Sequence, residues 1–158
     1  MSVDPDTFRA TLGRFASGVT IITARDADGR DHGMTVSAFS SLSLEPPLVL
    51  ACVDHAASMH RVLMTARGIG VSILAEGQHG LSRRFAEADA DRFDGVGQLR
   101  GANGAVLFPG AVAHLECTVR ERHEAGDHTI LVCAVDRAAT FDTRPLLYFR
   151  GEYALLGG

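Results

Sequence analysis

The chain has 158 residues, of which 46% are apolar and 22% charged, so we expect one globular domain over residues 1–158 and exclude disordered and collagen-like classes. Its net charge is −4, and its 15 basic residues, all arginine, form no basic stripe, which argues against nucleic acid or an anionic membrane as partner. No apolar stretch is long enough to span a bilayer and no signal-peptide pattern opens the chain, so we expect a cytoplasmic protein.

A helix is predicted at the N-terminus. Asp4 is a good N-cap residue, and the proline after it suits the first helical position. Three apolar residues then recur at helical spacing, and Gly18 is expected to end the helix. These apolar residues are Phe8, Leu12 and Phe15.

Three strands should follow. The β-branched run 19–24 predicts the first strand, and a turn rich in Asp and Gly joins it to a second strand over residues 34–39, as an antiparallel hairpin. The third strand is predicted over 48–53, after a Glu-Pro-Pro break. Its continuous apolar run is typical of a strand buried on both faces.

The middle of the chain mixes short helices with one strand. Ser58 can cap a short helix, residues 69–74 predict a strand, and residues 77–87 predict a second helix. Residues 88–110 are rich in Asp, Gly and Ala and lack periodicity. We therefore expect a long loop that covers part of the protein.

The C-terminal part contains only strands. Two long ones are predicted over 111–122 and 128–139, and two short ones over 146–149 and 153–156. Many strands separated by turns, with few short helices, predict a mainly β protein with an antiparallel barrel or sandwich.

Residues 35–43 hold five hydroxyl side chains in nine positions, more than a plain strand needs. Hydroxyls and free backbone N–H groups at a strand end can bind a phosphate or the polar edge of a heterocycle. The alternative is a serine-rich edge strand whose hydroxyls make local hydrogen bonds.

Two further segments carry candidate chemistry. His128 begins a predicted strand beside Asp127, where it could donate a hydrogen bond or a proton to a ligand, or be an ordinary surface histidine. Arg84, on the predicted helix 77–87, could pair with a phosphate or simply belong to a solvated face.

Other site classes are not supported by the spacing. The three cysteines form no C-x-x-C pair and lie in apolar runs, which is typical of buried reduced thiols. His55 and His60 are five residues apart, but no acidic or cysteine partner lies at metal-ligand spacing, so we expect no metal site. The glycine-rich nucleotide-binding motifs are also absent from the sequence.

Several segments, in order, resemble the short flavin reductases, the reductase components of two-component flavin-dependent monooxygenases. Residues 33–50 (GMTVSAFSSLSLEPPLVL) resemble the signature of that family, and residues 126–130 (GDHTI) resemble its G-[DT]-H-x-[IL] motif. The similarity covers roughly residues 6 to 156. The other matching segments are 15–19 (FASGV), 81–86 (LSRRFA) and 145–149 (PLLYF).

The resemblance implies a split β-barrel of Greek-key, FMN-binding type with a few short helices, usually a homodimer. It also implies an enzyme that binds FMN or FAD, takes hydride from NADH or NADPH, and releases reduced flavin to a partner monooxygenase. The cofactor carries the redox chemistry, so the protein has to bind and orient it.

The resemblance also assigns site residues. It places Thr35, Val36 and Ser37 along the isoalloxazine or ribityl chain, and phosphate contacts on the hydroxyl of Ser58 and on Arg84. His128 becomes the contact for the nicotinamide and the candidate catalytic residue. The other implied flavin contacts are Ser41, Ser43, Cys52, Val53, Ser82 and Phe85, with Tyr148 and Tyr153 as weaker candidates.

The sequence departs from the family in two places. Ser72 stands where many members have asparagine, and residues 54–59 carry fewer hydroxyls than is usual after this strand. Two alternatives stay open: a flavoprotein that retains its flavin and acts on another substrate, and a binding module without catalysis, for flavin or haem.

Overall fold

The computed structural model describes residues 1–87 and 91–157. Its helices are α1 (Pro5–Leu12), α2 (His60–Leu63) and α3 (His79–Ala86), and a short 3₁₀ turn (Glu76–Gln78) precedes α3. Its strands are β1 (Ser17–Gly18), β2 (Thr20–Arg25), β3 (Asp31–Val36), β4 (Phe39–Ser43), β5 (Leu48–Asp54), β6 (Gly68–Ile73), β7 (Leu99–Arg100), β8 (Val106–Leu107), β9 (Ala113–Ala125), β10 (His128–Thr140), β11 (Leu146–Phe149) and β12 (Glu152–Leu155).

The main sheet has seven antiparallel strands in the order β3-β2-β6-β9-β10-β5-β4. Its two edge strands, β3 and β4, are consecutive in the chain and are joined through Ser37 and Ala38. β1, β11 and β12 form a smaller sheet, and β7 pairs with β8. The expected mainly β architecture is confirmed.

Two apolar clusters form the core. The larger one fills the inside of the main sheet and includes Ile22, Val53 and Leu131, all fully buried. The smaller one lies between α3, β2 and β11, where Phe85 packs 5.0 Å from Phe108, measured between ring centroids. This second cluster fixes α3 against the barrel.

The cysteines are unpaired thiols, as expected. Cys117 and Cys133 are buried and Cys52 is half-buried. Burial raises the pKa of Cys117 to about 12 and that of Cys133 to about 11, so both stay protonated at physiological pH.

The N-terminal helix differs from its prediction. It begins at Pro5, with Asp4 accepting a hydrogen bond from the Thr7 amide at 2.9 Å, but it ends at Leu12 instead of Gly18. The chain turns at Gly13, whose carbonyl accepts from the Arg150 amide at 2.8 Å. The helix has no buried residue, and its apolar side chains face outward.

The second predicted strand is two strands. β3 ends at Val36, Ser37 and Ala38 form the connection, and β4 starts at Phe39 at the other end of the strand order. The Cys52 amide donates to the Ala38 carbonyl at 2.9 Å, which places this connection beside β5. The hairpin of β2 and β3 is confirmed.

Strand β5 is buried on one face and half-buried on the other, instead of being buried on both. Ser58 does not cap α2, because Met59 holds the N-cap position and makes no side-chain hydrogen bond. The predicted loop 88–110 contains β7 and β8, while its residues 88–90 lie outside the described chain. No helix within residues 1–87 and 91–157 is long and apolar enough to cross a membrane.

Candidate functional site

A partly open cavity of about 190 Å³ lies where β3, α3 and the small sheet meet. Its wall combines hydroxyl groups with apolar surface. The lining residues are Val19, Thr35, Ser37, Ser82, Ala86, Tyr148 and Tyr153. The cavity thus brings together four of the predicted flavin contacts: Thr35 and Ser37 at the end of β3, Ser82 on α3 and Tyr148 on β11.

Hydrogen bonds hold this wall in place. The Thr35 hydroxyl donates to the Ser82 carbonyl at 2.6 Å, and the Ser82 and Tyr153 hydroxyls are 2.7 Å apart. The Ser82 side chain is fully buried, so its hydroxyl needs this partner. Strand β3, helix α3 and strand β12 are therefore joined at the cavity.

Alternation along β3 explains why these residues face the cavity. Successive side chains of a strand point to opposite faces, so Thr35 and Ser37 share one side. Val36 points the other way into the core, and its carbonyl accepts from the Thr20 hydroxyl at 2.7 Å. Val36 can offer a ligand little beyond backbone surface.

A second group lies at the far end of β5. His128 is paired with Asp54 in the register of β5 and β10, and Cys52 is paired with Ile130. Val53 is fully buried, whereas Ser58 is exposed in the turn that follows β5. The Cys52 amide also donates to the Ala38 carbonyl, so this group lies next to the residues that follow Ser37.

His128 is half exposed and oriented by its neighbour. Its Nδ1 lies 2.7 Å from the Asp127 Oδ1, and the side chain is 40% exposed. The hydrogen bond from His128 lowers the pKa of Asp127 below its ordinary value, so that carboxylate stays ionised. With Nδ1 engaged, Nε2 is the ring nitrogen left for a ligand.

The remaining predicted contacts lie elsewhere. Ser41 and Ser43 are on β4, exposed and half-buried respectively. Phe85 is 1% exposed within the smaller core cluster. Arg84 donates to the backbone carbonyls of Asp91, Arg92 and Asp94, so its guanidinium holds the loop after α3.

Some neighbours of the site were not predicted. Val19 and Ala86 line the cavity; both lie in segments that resemble the family, 15–19 and 81–86, but neither is among the predicted contacts. The structure also places Glu124 beside His55 and His60. That grouping cannot be read from spacing, because Glu124 is on another strand.

The arrangement suits binding and orientation of an aromatic, polyhydroxylated ligand. The tyrosine rings and the apolar residues offer flat surface, while Thr35 and Ser37 offer hydroxyls. The cavity, at about 190 Å³, is smaller than the 300 Å³ or more of usual ligand pockets, so it can enclose only part of a larger ligand.

Comparison with known proteins gives the family. Residues 12–157 match the model of the flavin reductase like domain. The chain is 43% identical over 157 residues to the actinorhodin polyketide dimerase of Streptomyces coelicolor, covering 99% of this chain and 89% of that one. It is 37% identical over 153 residues to HsaB of Rhodococcus jostii, the reductase subunit of a flavin-dependent monooxygenase, covering 96% and 78%.

A solved structure agrees over almost the whole chain. The NADH:FAD oxidoreductase SgcE6 of Streptomyces globisporus, in complex with NAD and FAD fragments, superposes with a TM-score of 0.92 at 38% identity and covers 99% of this chain and 97% of that one. This protein therefore belongs to the flavin reductase like family. The resemblance seen in the sequence and the split-barrel fold are both confirmed.

Proposed function

We propose that this protein is an NADH-dependent flavin reductase that binds FMN or FAD and supplies the reduced flavin to a partner monooxygenase. The observation that carries the proposal is the hydroxyl-lined cavity between β3, α3 and the small sheet, in a chain of this family. The similarity to SgcE6, an NADH:FAD oxidoreductase, supports NADH as donor and FAD as acceptor.

In this proposal the cavity and the barrel edge hold the flavin. Thr35, Ser37 and Tyr148 contact it from the wall, and the β5 end near Cys52 supports the ring edge. A bound flavin accepts hydride from the nicotinamide, so the protein needs no nucleophile of its own. Its residues bind the two ring systems in contact and exclude water between them.

His128 orients the nicotinamide in this scheme. Asp127 fixes the imidazole through Nδ1 at 2.7 Å, and Nε2 is then free to bond the carboxamide. Asp127 stays ionised and favours this orientation.

Ser58, exposed in the turn after β5, is the candidate phosphate contact. Arg84 could reach a phosphate only by releasing the three carbonyls that it binds.

We also propose a homodimer. Apolar side chains of α1, of the segment after it and of the adjacent small sheet are left exposed, with Phe15 81% and Leu12 51% exposed. β1 pairs with β11, and the Arg150 amide bonds Gly13, so the segment after α1 lies against the small sheet. A second copy would cover them and close the cavity at Tyr148. The exposed side chains are Phe8, Leu12, Phe15, Tyr148, Phe149 and Leu155.

The reductase subunit HsaB supports a monooxygenase as the acceptor of reduced flavin. Release to a partner requires weak flavin binding, which fits the few hydroxyls at residues 54–59. We propose a cytoplasmic location, where NADH is available and the three free thiols stay reduced.

The test is an anaerobic assay with each pairing of FMN or FAD with NADH or NADPH. We expect the oxidised-flavin absorbance to bleach with NADH well above the rate without protein. Flavin binding without bleaching under any pairing would overturn the reductase and leave a binding module. Flavin that stays bound through purification and is reduced without release would favour an enzyme that keeps its cofactor.

A further inference from the structure

Three side chains that spacing does not connect meet beside His128. His55 follows β5, His60 begins α2, and Glu124 lies near the end of β9. Each offers one ligand atom, and these atoms all lie within 4.8 Å of one another. The His55 Nε2 is 2.6 Å from the Glu124 Oε2, a contact between a nitrogen and an oxygen that both bind divalent metals well.

The imidazole rings of His55 and His60 already have the separation that binding of a shared ion requires. Their centroids are 5.0 Å apart and their planes meet at 73°. Metal–nitrogen bonds of about 2.0–2.1 Å at tetrahedral angles place the centroids of two coordinated imidazoles roughly 5 Å apart. A modest movement of the exposed Glu124 and His55 side chains would bring their ligand atoms around one ion.

A hydroxyl behind the cluster orients it. Thr129 is fully buried, and its hydroxyl donates to the Glu124 Oε1 at 2.9 Å while lying 2.9 Å from the His60 Nε2. Hydrogen-bond partners of this kind hold metal-binding side chains in place.

The surroundings favour a cation. Asp54 and Asp127 flank the cluster, and the His55 amide donates to the Asp127 carbonyl at 2.9 Å. The His55 side chain is 39% exposed and that of Glu124 is 65% exposed, so an ion can enter from solvent.

We propose that His55, His60 and Glu124 form a binding site for a divalent transition-metal ion of the Zn²⁺ class. Two histidines and one glutamate leave a fourth position open for water or an anionic group. A bound ion would tie the turn after β5 to the β9–β10 hairpin, next to His128. This site is independent of the proposed flavin reduction, and its test reads metal binding instead of turnover.

The experiment titrates Zn²⁺ into the tag-free, chelator-treated protein by calorimetry, with Co²⁺ as a spectroscopic probe. We expect one ion per chain, visible Co²⁺ bands of a four-coordinate site, and a rise in Tm on Zn²⁺ addition through mass action. His55→Ala and Glu124→Gln alter exposed side chains and should each weaken binding at least tenfold.

His123→Ala is the matched control, because His123 is an exposed histidine of the same hairpin outside the cluster, 3.4 Å from Glu121. It should bind Zn²⁺ like the wild type. The proposal would be overturned if the wild type did not bind one Zn²⁺ per chain, or if His55→Ala and Glu124→Gln bound Zn²⁺ as tightly as the wild type. Loss of binding in His123→Ala alone would also overturn it, since the ion would then bind at another site.

Discussion

Ser82 shows how one small side chain connects three parts of the molecule. Its carbonyl accepts from Thr35 on β3, and its buried hydroxyl bonds Tyr153 on β12. Neutral hydrogen bonds therefore connect the cavity wall. A wall that presents hydroxyls suits the proposed role, in which the protein would orient a flavin ring and the ring would carry the redox chemistry.

The His128→Ala variant tests the nicotinamide contact. We expect kcat/KM for NADH to fall about tenfold, a loss of roughly 1.4 kcal/mol, because the variant cannot bond the carboxamide. Steady-state kinetics with NADH varied at saturating flavin measure this value. His123→Ala, on the same hairpin, is the control. An unchanged kcat/KM in His128→Ala would remove this residue from the site.

At the scale of single elements, β6 is constrained by a close approach. A Cβ at Gly70 would lie 2.7 Å from the Val106 carbonyl oxygen and 2.8 Å from the Thr23 hydroxyl. These two atoms are themselves hydrogen-bonded at 2.6 Å, so neither can move freely. Only glycine lets β2, β6 and β8 come together here.

Gly70→Ala should therefore destabilise the protein. Overpacking against backbone costs about 2 kcal/mol, which lowers Tm by roughly 4 to 8 °C in a domain of this size. Thermal unfolding followed by circular dichroism measures the shift. Gly18→Ala is the control, because nothing lies within 4 Å of a Cβ at that position. Equal Tm values for the two variants would contradict the packing argument.

The β2–β3 hairpin contains an acid-sensitive turn. The Asp26 carboxylate lies 2.8 Å from the His32 Nε2, and it also accepts from the Asp28 and Arg30 amides. The hydrogen bond with His32, followed by that from the Arg30 amide, lowers the pKa of Asp26 from 3.8 to about 2. The ionised carboxylate is thus favoured in the folded state.

Asp26→Asn should lower stability at neutral pH and matter less in acid. Because the pKa of Asp26 is lower in the folded state, its ionised carboxylate stabilises the fold above pH 3.8, and this contribution is lost as the pH falls towards about 2. Urea midpoints of wild type and variant, measured from neutral pH to about pH 3, should therefore converge. Asp28→Asn, in the same turn, is the control. A constant difference across this range would contradict the assignment.

For the whole molecule, α1, the segment after it and the small sheet expose a set of apolar side chains to solvent. A helix with no buried residue gains nothing from its apolar side chains in a monomer. A second copy would bury them, and it would also cover the open side of the cavity near Tyr148.

The wild type should therefore have twice the 16.8 kDa chain mass in solution. Phe15→Glu should shift it to the monomer and weaken flavin binding, because a charge at this 81% exposed position would be buried in the dimer. Light scattering coupled to size exclusion measures both masses. Leu99→Glu, at an exposed residue of β7, is the control. A monomeric wild type would contradict the dimer.

Local patterns in the sequence were sufficient for most of the elements. The β-branched run of β2, the long strands β9 and β10, and the helix around Phe85 carry their own periodicity and turn residues. The N-terminal helix kept its cap at Asp4, but its length was set by the contact between Gly13 and Arg150, which are far apart in the chain. The path of the chain between β3 and β4 was likewise fixed by the hydrogen bond from the Cys52 amide to the Ala38 carbonyl.

The sequence by itself determined a mainly β protein and, through its ordered motifs, a flavin reductase. Only the tertiary structure decided that Thr35, Ser82 and Tyr153 share one cavity wall, that Phe85 is core, and that Arg84 holds a loop. It alone placed Glu124 against His55 and His60. The physical reason is that periodicity reports which face of an element is apolar, whereas hydrogen bonds and packing between distant strands decide which side chains meet.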